Sequence, residues 1–326
     1  MSTSSGPEIE LNRDAGLAIA CKLAAVGLFS CMSAVVKALA DEVPVGQVVF
    51  ARSFFALLPI LWLIWHGGGF HTLKTTRPIG HALRSAAGLI SMFCGFAALS
   101  LAPLPDVVAI GFAATVFTPA LAFLILKEQV GIYRWTAVGI GFCGVLLMLQ
   151  PAGLQLFDGG LDRAPTEAMG LGLALTGAVF VALATIAVRS LATKEQPAAI
   201  IFYFTMTCTV ASALTLPFAS VWPDARQAWM LLSIGLLGGV AQILMTRAYV
   251  LAPASLVAPF DYTAMVYAAI IGYVVFGDRM EPIMIGGALL VIGSGLFIFY
   301  REQRLGLPRG RARRRGVGPP GPPGAA

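Results

Sequence analysis

Residues 251–278 read LAPASLVAPFDYTAMVYAAIIGYVVFGD, an apolar run long enough to cross a bilayer that nevertheless carries Asp261, two residues after Pro259. A helix spans the hydrocarbon with roughly 20 residues. A carboxylate inside it is costly unless it is neutralised, paired or kept wet. Shifted by 150 positions, the run extended back to Ala248 lies on residues 98–128, ALSLAPLPDVVAIGFAATVFTPALAFLILKE. Seven of these 31 positions are identical (Ala98, Leu101, Ala102, Pro103, Val107, Ala114 and Val116), and Glu128 meets Asp278. Upstream, Gly27 falls on Gly177 and, with a drift of two, Lys37 falls on Arg189 and Phe50 on Phe202. The mate of Asp261 is Gly111, so the acid belongs to one half only.

The rest of the chain is equally apolar. Of 326 residues, 58% are hydrophobic and only 12% charged, about half the charge of a soluble domain, and the mean hydropathy is +0.83. Ten runs have the length and composition of spans, near 15–40, 45–65, 79–101, 107–126, 133–149, 169–189, 197–218, 229–250, 254–276 and 282–300. With five spans per repeat, an odd number, the second copy is upside down relative to the first. The expected fold is an all-α polytopic membrane protein of ten transmembrane helices in two inverted five-helix repeats. Its divisions are an N-terminal tail at 1–14, a first repeat at 15–150, an external linker at 151–168, a second repeat at 169–300 and a basic, Pro/Gly-rich disordered tail at 301–326. Such repeats pack in two nearly mirrored ways, the geometry of alternating access.

Lysine and arginine stay on the cytoplasmic side during insertion. With the N-terminus inside, sixteen fall on inner segments, seven of them between Arg301 and Arg315, against four outside: Lys37, Arg163, Arg226 and Arg279. Both termini are therefore expected in the cytoplasm, with the chain in the cell inner membrane. The net charge of +6 follows from this topology. The tail arginines are read as an anchor on anionic headgroups, not as a nucleic-acid site. Residues 1–14 lack the basic region of a signal peptide, so the first span is expected to be retained. The five cysteines lie within spans and read as small apolar residues. The three histidines, His66, His71 and His81, surround one inner connection without metal-ligand spacing, and no H-E-x-x-H, G-x-S-x-G or phosphate-loop motif is present. No cofactor, metal or catalytic residue is expected.

The five-plus-five pattern, Lys127-Glu128 closing the fourth span, the W-x-x-x-G run from Trp135 to Gly139, and APASLVAPFDYT with GYVVFGD resemble the EamA-type drug/metabolite transporters across residues 15–300. Within that family FARSFFALLPI and TLKTTRPIGHALRS look like members described as S-adenosylmethionine uptake carriers. RAYVLAPASLVAPFDYT looks as much like riboflavin importers. The resemblance implies a cavity lined by spans 1–4 and 6–9, with glycine-rich spans 5 and 10 peripheral. It implies a secondary carrier of a small organic metabolite, proton-coupled or exchange-driven, acting as monomer or homodimer. An exporter of amino acids or drug-like compounds is the alternative; an intramembrane enzyme or a non-transporting subunit is more remote.

Three ionisable residues lie well inside spans: Lys22, Arg52 and Asp261. At 1.5 Å per residue, Lys22 and Asp261 sit at matched depth, roughly 10 Å from the cytoplasmic end, and Arg52 roughly 10 Å from the outer end. Lys22 either pairs with Asp261 or snorkels to headgroups; Arg52 either faces the cavity or snorkels outward. Asp261 is open to three readings: structural partner of Lys22, proton-coupling or cation-recognising group, or solvated carboxylate. Pro259 is expected to free carbonyls near Ser255 and Leu256. Tyr262, Phe54 and Tyr203 are candidate aromatic lining, and Gln242 and Thr118 candidate hydrogen-bonding groups, each against ordinary helix packing.

Overall fold

A computed structural model of the protein describes residues 7–66, 69–126, 132–149, 165–192, 195–252 and 257–304, which contain no strand. Residues 151–164 of the external linker, the tail beyond Arg304, Lys127-Glu128 and the Ser255–Leu256 carbonyls lie outside the described residues, while 165–168, expected as linker, form the first turn of a helix. The helices are α1 (Pro7–Ala38), α2 (Val45–His66), α3 (Pro78–Leu101), α4 (Leu104–Gly111), α5 (Ala113–Leu126), α6 (Ile132–Leu149), α7 (Pro165–Leu191), α8 (Pro197–Ala213), α9 (Ala225–Leu251), α10 (Thr263–Ile271) and α11 (Pro282–Arg304). Short 3₁₀ turns stand at Phe70–Leu73 and Ala258–Tyr262, and a π-turn at Gly272–Phe276.

Local sequence explains where the helices begin. Proline opens α3, α7, α8 and α11, where its missing N–H would have had no intrahelical partner anyway. Asp224 caps α9 by accepting from the Gln227 N–H, and the Gln227 side chain returns the bond, the reciprocal box that satisfies two free donors. Seven stretches are long and apolar enough to cross a membrane: Gly16–Ala38, Val45–His66, Pro78–Leu101, Leu104–Ile125, Pro165–Leu191, Ala225–Leu251 and Pro259–Phe276. Three shorter apolar helices accompany them, Trp135–Met148, Pro197–Ala213 and Pro282–Phe297.

Two spans are broken at matching places in the repeat, the second beside Pro259, where a disturbed turn was expected, and the first without such an expectation. The first breaks between α4 and α5 at Gly111 and Phe112. Its mate begins as the 3₁₀ turn Ala258–Tyr262 and becomes α-helical only from Thr263. The break in the second half delivers Asp261 on the tighter turn.

The halves interleave. α1 packs on α9, α3 on α7, α2 on both α8 and α9, and α6 on α11. Exchanging the halves turns the first of these contacts into the second and leaves the α2–α8 and α6–α11 contacts unchanged. The opening helices of the halves run in opposite directions. Lys37, at the end of α1, donates to the Ala102 carbonyl at 3.0 Å. Gly170, near the start of α7, approaches the same corner so closely that a Cβ there would lie 2.8 Å from the Leu101 Cβ. The α6–α11 pair meets at Gly144 and Gly287, where a Cβ on Gly144 would sit 2.7 Å from the Gly287 carbonyl oxygen. Only glycine allows that approach.

Candidate functional site

The α1–α9 seam is built from small residues. Ala18, Cys21, Ala248, Ala252 and Val257 bury together, which brings α1, α9 and the 3₁₀ turn within side-chain reach. Lys22 lies in this seam with no exposed surface, its Nζ 2.7 Å from Asp261 Oδ1. It also donates to the Tyr249 hydroxyl at 2.9 Å and lies 2.8 Å from Met245 Sδ. The ammonium is therefore not drawn out to the headgroups. Asp261 differs, since its side chain keeps 39% exposure. The centre is a carboxylate with one oxygen on a buried cation and one side toward solvent-accessible space, and it joins the first half to the second.

Arg52 sits on the other buried centre. Gly235, Gly238 and Gly239 of α9 accept the face of α2 that carries Ala51, Phe55, Ala56 and Pro59, and Arg52 on that face is buried to 8% exposure. Outward snorkelling is thereby excluded. Arg84, read from the sequence as an inner-side topological charge, instead lies two turns inside α3, its guanidinium 3.8 Å over the Phe204 ring. Arg52 Nε and Arg84 Nε and Nη1 are buried and bonded to nothing among the described residues.

The remaining candidates do not join these centres. The Tyr262 ring packs on Phe112 at 5.2 Å, and a Cβ at Gly295 would collide with its hydroxyl. Tyr203 donates to the Leu73 carbonyl at 2.9 Å and stacks near His81, so it fastens the α2–α3 connection. Phe54 stacks on Phe50 and shares an exposed apolar stripe with Leu58, Trp62 and Trp65. Aromatic side chains suit lipid as well as a cavity, so the sequence could not separate these positions. Thr118 donates back to the Ala114 carbonyl at 2.7 Å, as Thr205 does to Ile201, which uses each hydroxyl's proton within its own helix. Gln242 is half-buried on α9, and its carbonyl accepts from Thr246. The sequence reading missed Tyr249 and Arg84. Tyr249 stands opposite Leu99 in the repeat, as Asp261 stands opposite Gly111, and that shared asymmetry was the available signal.

Both ends of the bundle carry ties between the halves. At one end Gly277 adopts φ +70°, a left-handed cap open to glycine, and turns Asp278 onto Lys37 at 3.0 Å. Asp278 also accepts from the Leu104 N–H at 3.0 Å. Glu42 pairs with Arg226 and Gln227; the Gln227 side chain first, then Arg226, hold its carboxyl below the usual range. At the opposite end Glu195 accepts from the Thr76 N–H at 2.9 Å and its hydroxyl at 3.0 Å. These bonds, led by the backbone N–H, lower the Glu195 carboxyl as well.

Charged centres held inside an all-helical membrane bundle whose halves interleave define a membrane transporter. The chain belongs to the EamA-like transporter family, whose profile matches residues 16–150 and 168–300. It is 29% identical over 262 residues to an S-adenosylmethionine uptake transporter of Rickettsia prowazekii (strain Madrid E), covering 79% of this chain and 84% of the relative. It is 27% identical over 256 residues to a riboflavin transporter of Rhizobium johnstonii, covering 78% and 80%. It is 24% identical over 265 residues to the pseudopaline exporter CntI of Pseudomonas aeruginosa (strain UCBPP-PA14), covering 81% and 89%. A solved crystal structure at 19% identity superposes with a TM-score of 0.61 over 88% of this chain and 98% of that one, a likeness of fold alone. The substrate class common to these named transporters is a small molecule.

Proposed function

We propose that the chain is a ten-span secondary active carrier of the cell inner membrane, with both termini cytoplasmic, that moves a small organic metabolite by alternating access. The three shorter apolar helices complete the ten crossings, and the tail arginines from Arg301 to Arg315 rest on anionic lipid. The observation that carries the reading is the half-exposed carboxylate of Asp261 on fully buried Lys22. A proton or a cationic substrate group arriving from the open side competes with Lys22 for that carboxylate. Its binding loosens a contact between the halves, which is how occupancy biases one packing over the other.

S-adenosylmethionine, a cationic metabolite, is the substrate the reading favours, with riboflavin-like compounds next. An exporter of amino acids or drug-like compounds is the second reading, favoured by the similarity to CntI. The test is uptake by purified protein in liposomes of S-adenosylmethionine, riboflavin, aromatic amino acids and quaternary amines, with and without a pH gradient. Saturable flux of at least one solute is expected, with gradient dependence lost in Asp261→Asn. Folded, oriented protein that moves none of them contradicts the carrier reading.

A further inference from the structure

The second buried centre has cations and no anion. Arg52 begins seven residues into α2 from one end of the bundle and Arg84 six residues into α3 from the opposite end, each about 10 Å deep by helical rise. Arg84 lies over Phe204, one turn before the buried Cys208 on α8, and α2, which carries Arg52, packs on the same helix; each guanidinium lies within electrostatic reach of the other and of that thiol. Among the described residues neither forms an ion pair. Asp261 is taken by Lys22, Asp278 by Lys37, Glu42 by Arg226, and Glu195 by Thr76 and His81. Two neighbouring hydroxyls, Ser53 at 0% exposure and Ser85 at 1%, are likewise buried without a partner.

Arginine keeps its charge under all ordinary conditions and presents donors in a planar fork that fits carboxylate and phosphate oxygens. Two such cations within electrostatic reach of each other in a membrane interior repel, and each is costly to desolvate. A retained pair of this kind needs an anion, and among the described residues no carboxylate pairs with either arginine. Lipid headgroups stop at the interface, well short of mid-depth.

We infer that Arg52 and Arg84 form an oxyanion subsite at the middle of the bundle, which takes the carboxylate or phosphate of a small organic solute. It deepens the carrier reading and rests on it. The cationic part of a zwitterionic solute competes with Lys22 for Asp261, and its anionic part has the arginines.

The test uses full-length protein in nanodiscs and matched pairs that differ only in the anionic group. These are S-adenosylmethionine with its decarboxylated analogue, N-acetylmethionine with its amide, and flavin mononucleotide with riboflavin; the first two report carboxylate, the third phosphate. Binding is read from ligand-dependent thermal unfolding. In at least one pair the anionic member binds about ten-fold more tightly or better. Arg52→Gln and Arg84→Gln each erase that preference, and Arg52→Lys retains part of it. Equal affinity within every pair, no binding by any anionic member, or a preference that survives both glutamine variants overturns the subsite. Liposome flux separates the two readings. Flux without anion preference removes the subsite and leaves the carrier; anion preference without flux of any solute does the reverse.

Discussion

Lys22 and Arg52 are both cations buried in the membrane part of the molecule, yet they are built differently. Lys22 has Asp261 at 2.7 Å, Tyr249 at 2.9 Å and Met245 around it. Arg52 has the glycine face of α9, Met32 against Gly238, and a second cation, Arg84, within reach. The first centre closes its own electrostatics and joins two halves of the chain. The second leaves them open. A charge that folding itself satisfies is part of the architecture; a charge left unsatisfied at mid-depth is kept for something that arrives.

The comparison is broken most forcefully at Asp261. Asp261→Asn leaves Lys22 fully buried without a counter-charge, and a stability loss of about 3 kcal/mol is expected. Lys22→Met leaves only the half-exposed Asp261, which water can serve, so a loss of about 1 kcal/mol is expected. The double variant should be more stable than Asp261→Asn alone. Chemical unfolding of the three variants side by side checks the order, and equal losses for both single variants would contradict it.

A smaller effect falls at the tie between Lys37 and Asp278. Lys37→Met removes a cation that serves both Asp278 and the Ala102 carbonyl, at a cost of about 1 kcal/mol. Because this tie closes the end reached by Gly277, amide hydrogen exchange at Leu101, Ala102 and Leu104 should quicken while that at the opposite end does not. Tyr249→Phe, which deletes one hydroxyl from the Lys22 centre, is expected to cost about 1 kcal/mol or less. The smallest effect is at Glu195, whose carboxyl is held below its ordinary value. A lowered acid contributes stability above its unfolded pKa and loses it as pH falls through the folded value. Unfolding of the wild type should therefore weaken below about pH 4.5 by more than that of Glu195→Gln.

Much of this architecture is legible in the sequence, for physical reasons. Apolar length marks spans without knowledge of packing, and the match of residues 98–128 to 248–278 exposes the repeat. The depth count placed Lys22 level with Asp261, which is why their contact could be anticipated. It was not applied to Arg84, which was counted as an inner-side charge although a span at 79–101 already places it more than one turn inside, as α3 from Pro78 does. Pro259 announced a disturbed turn in the second half, whereas the break between α4 and α5 was missed because hydropathy does not register a change of helical pitch. The aromatic and hydroxyl candidates are not brought to either charged centre. Phe54, Tyr203, Tyr262 and Thr118 each have a packing or back-bonding role open to them, and which face a helix presents is decided by its neighbours.

The central claim is that one buried charge belongs to the fold and the other to the cargo. It is tested most directly by the melting temperatures, without ligand, of Asp261→Asn and Arg52→Gln in the same nanodiscs. The expected result is a fall for Asp261→Asn and an unchanged or higher value for Arg52→Gln, because removing an unpaired buried cation relieves repulsion and desolvation. Comparable falls in both would show that Arg52 is already satisfied by the protein, and the distinction between the two centres would be gone.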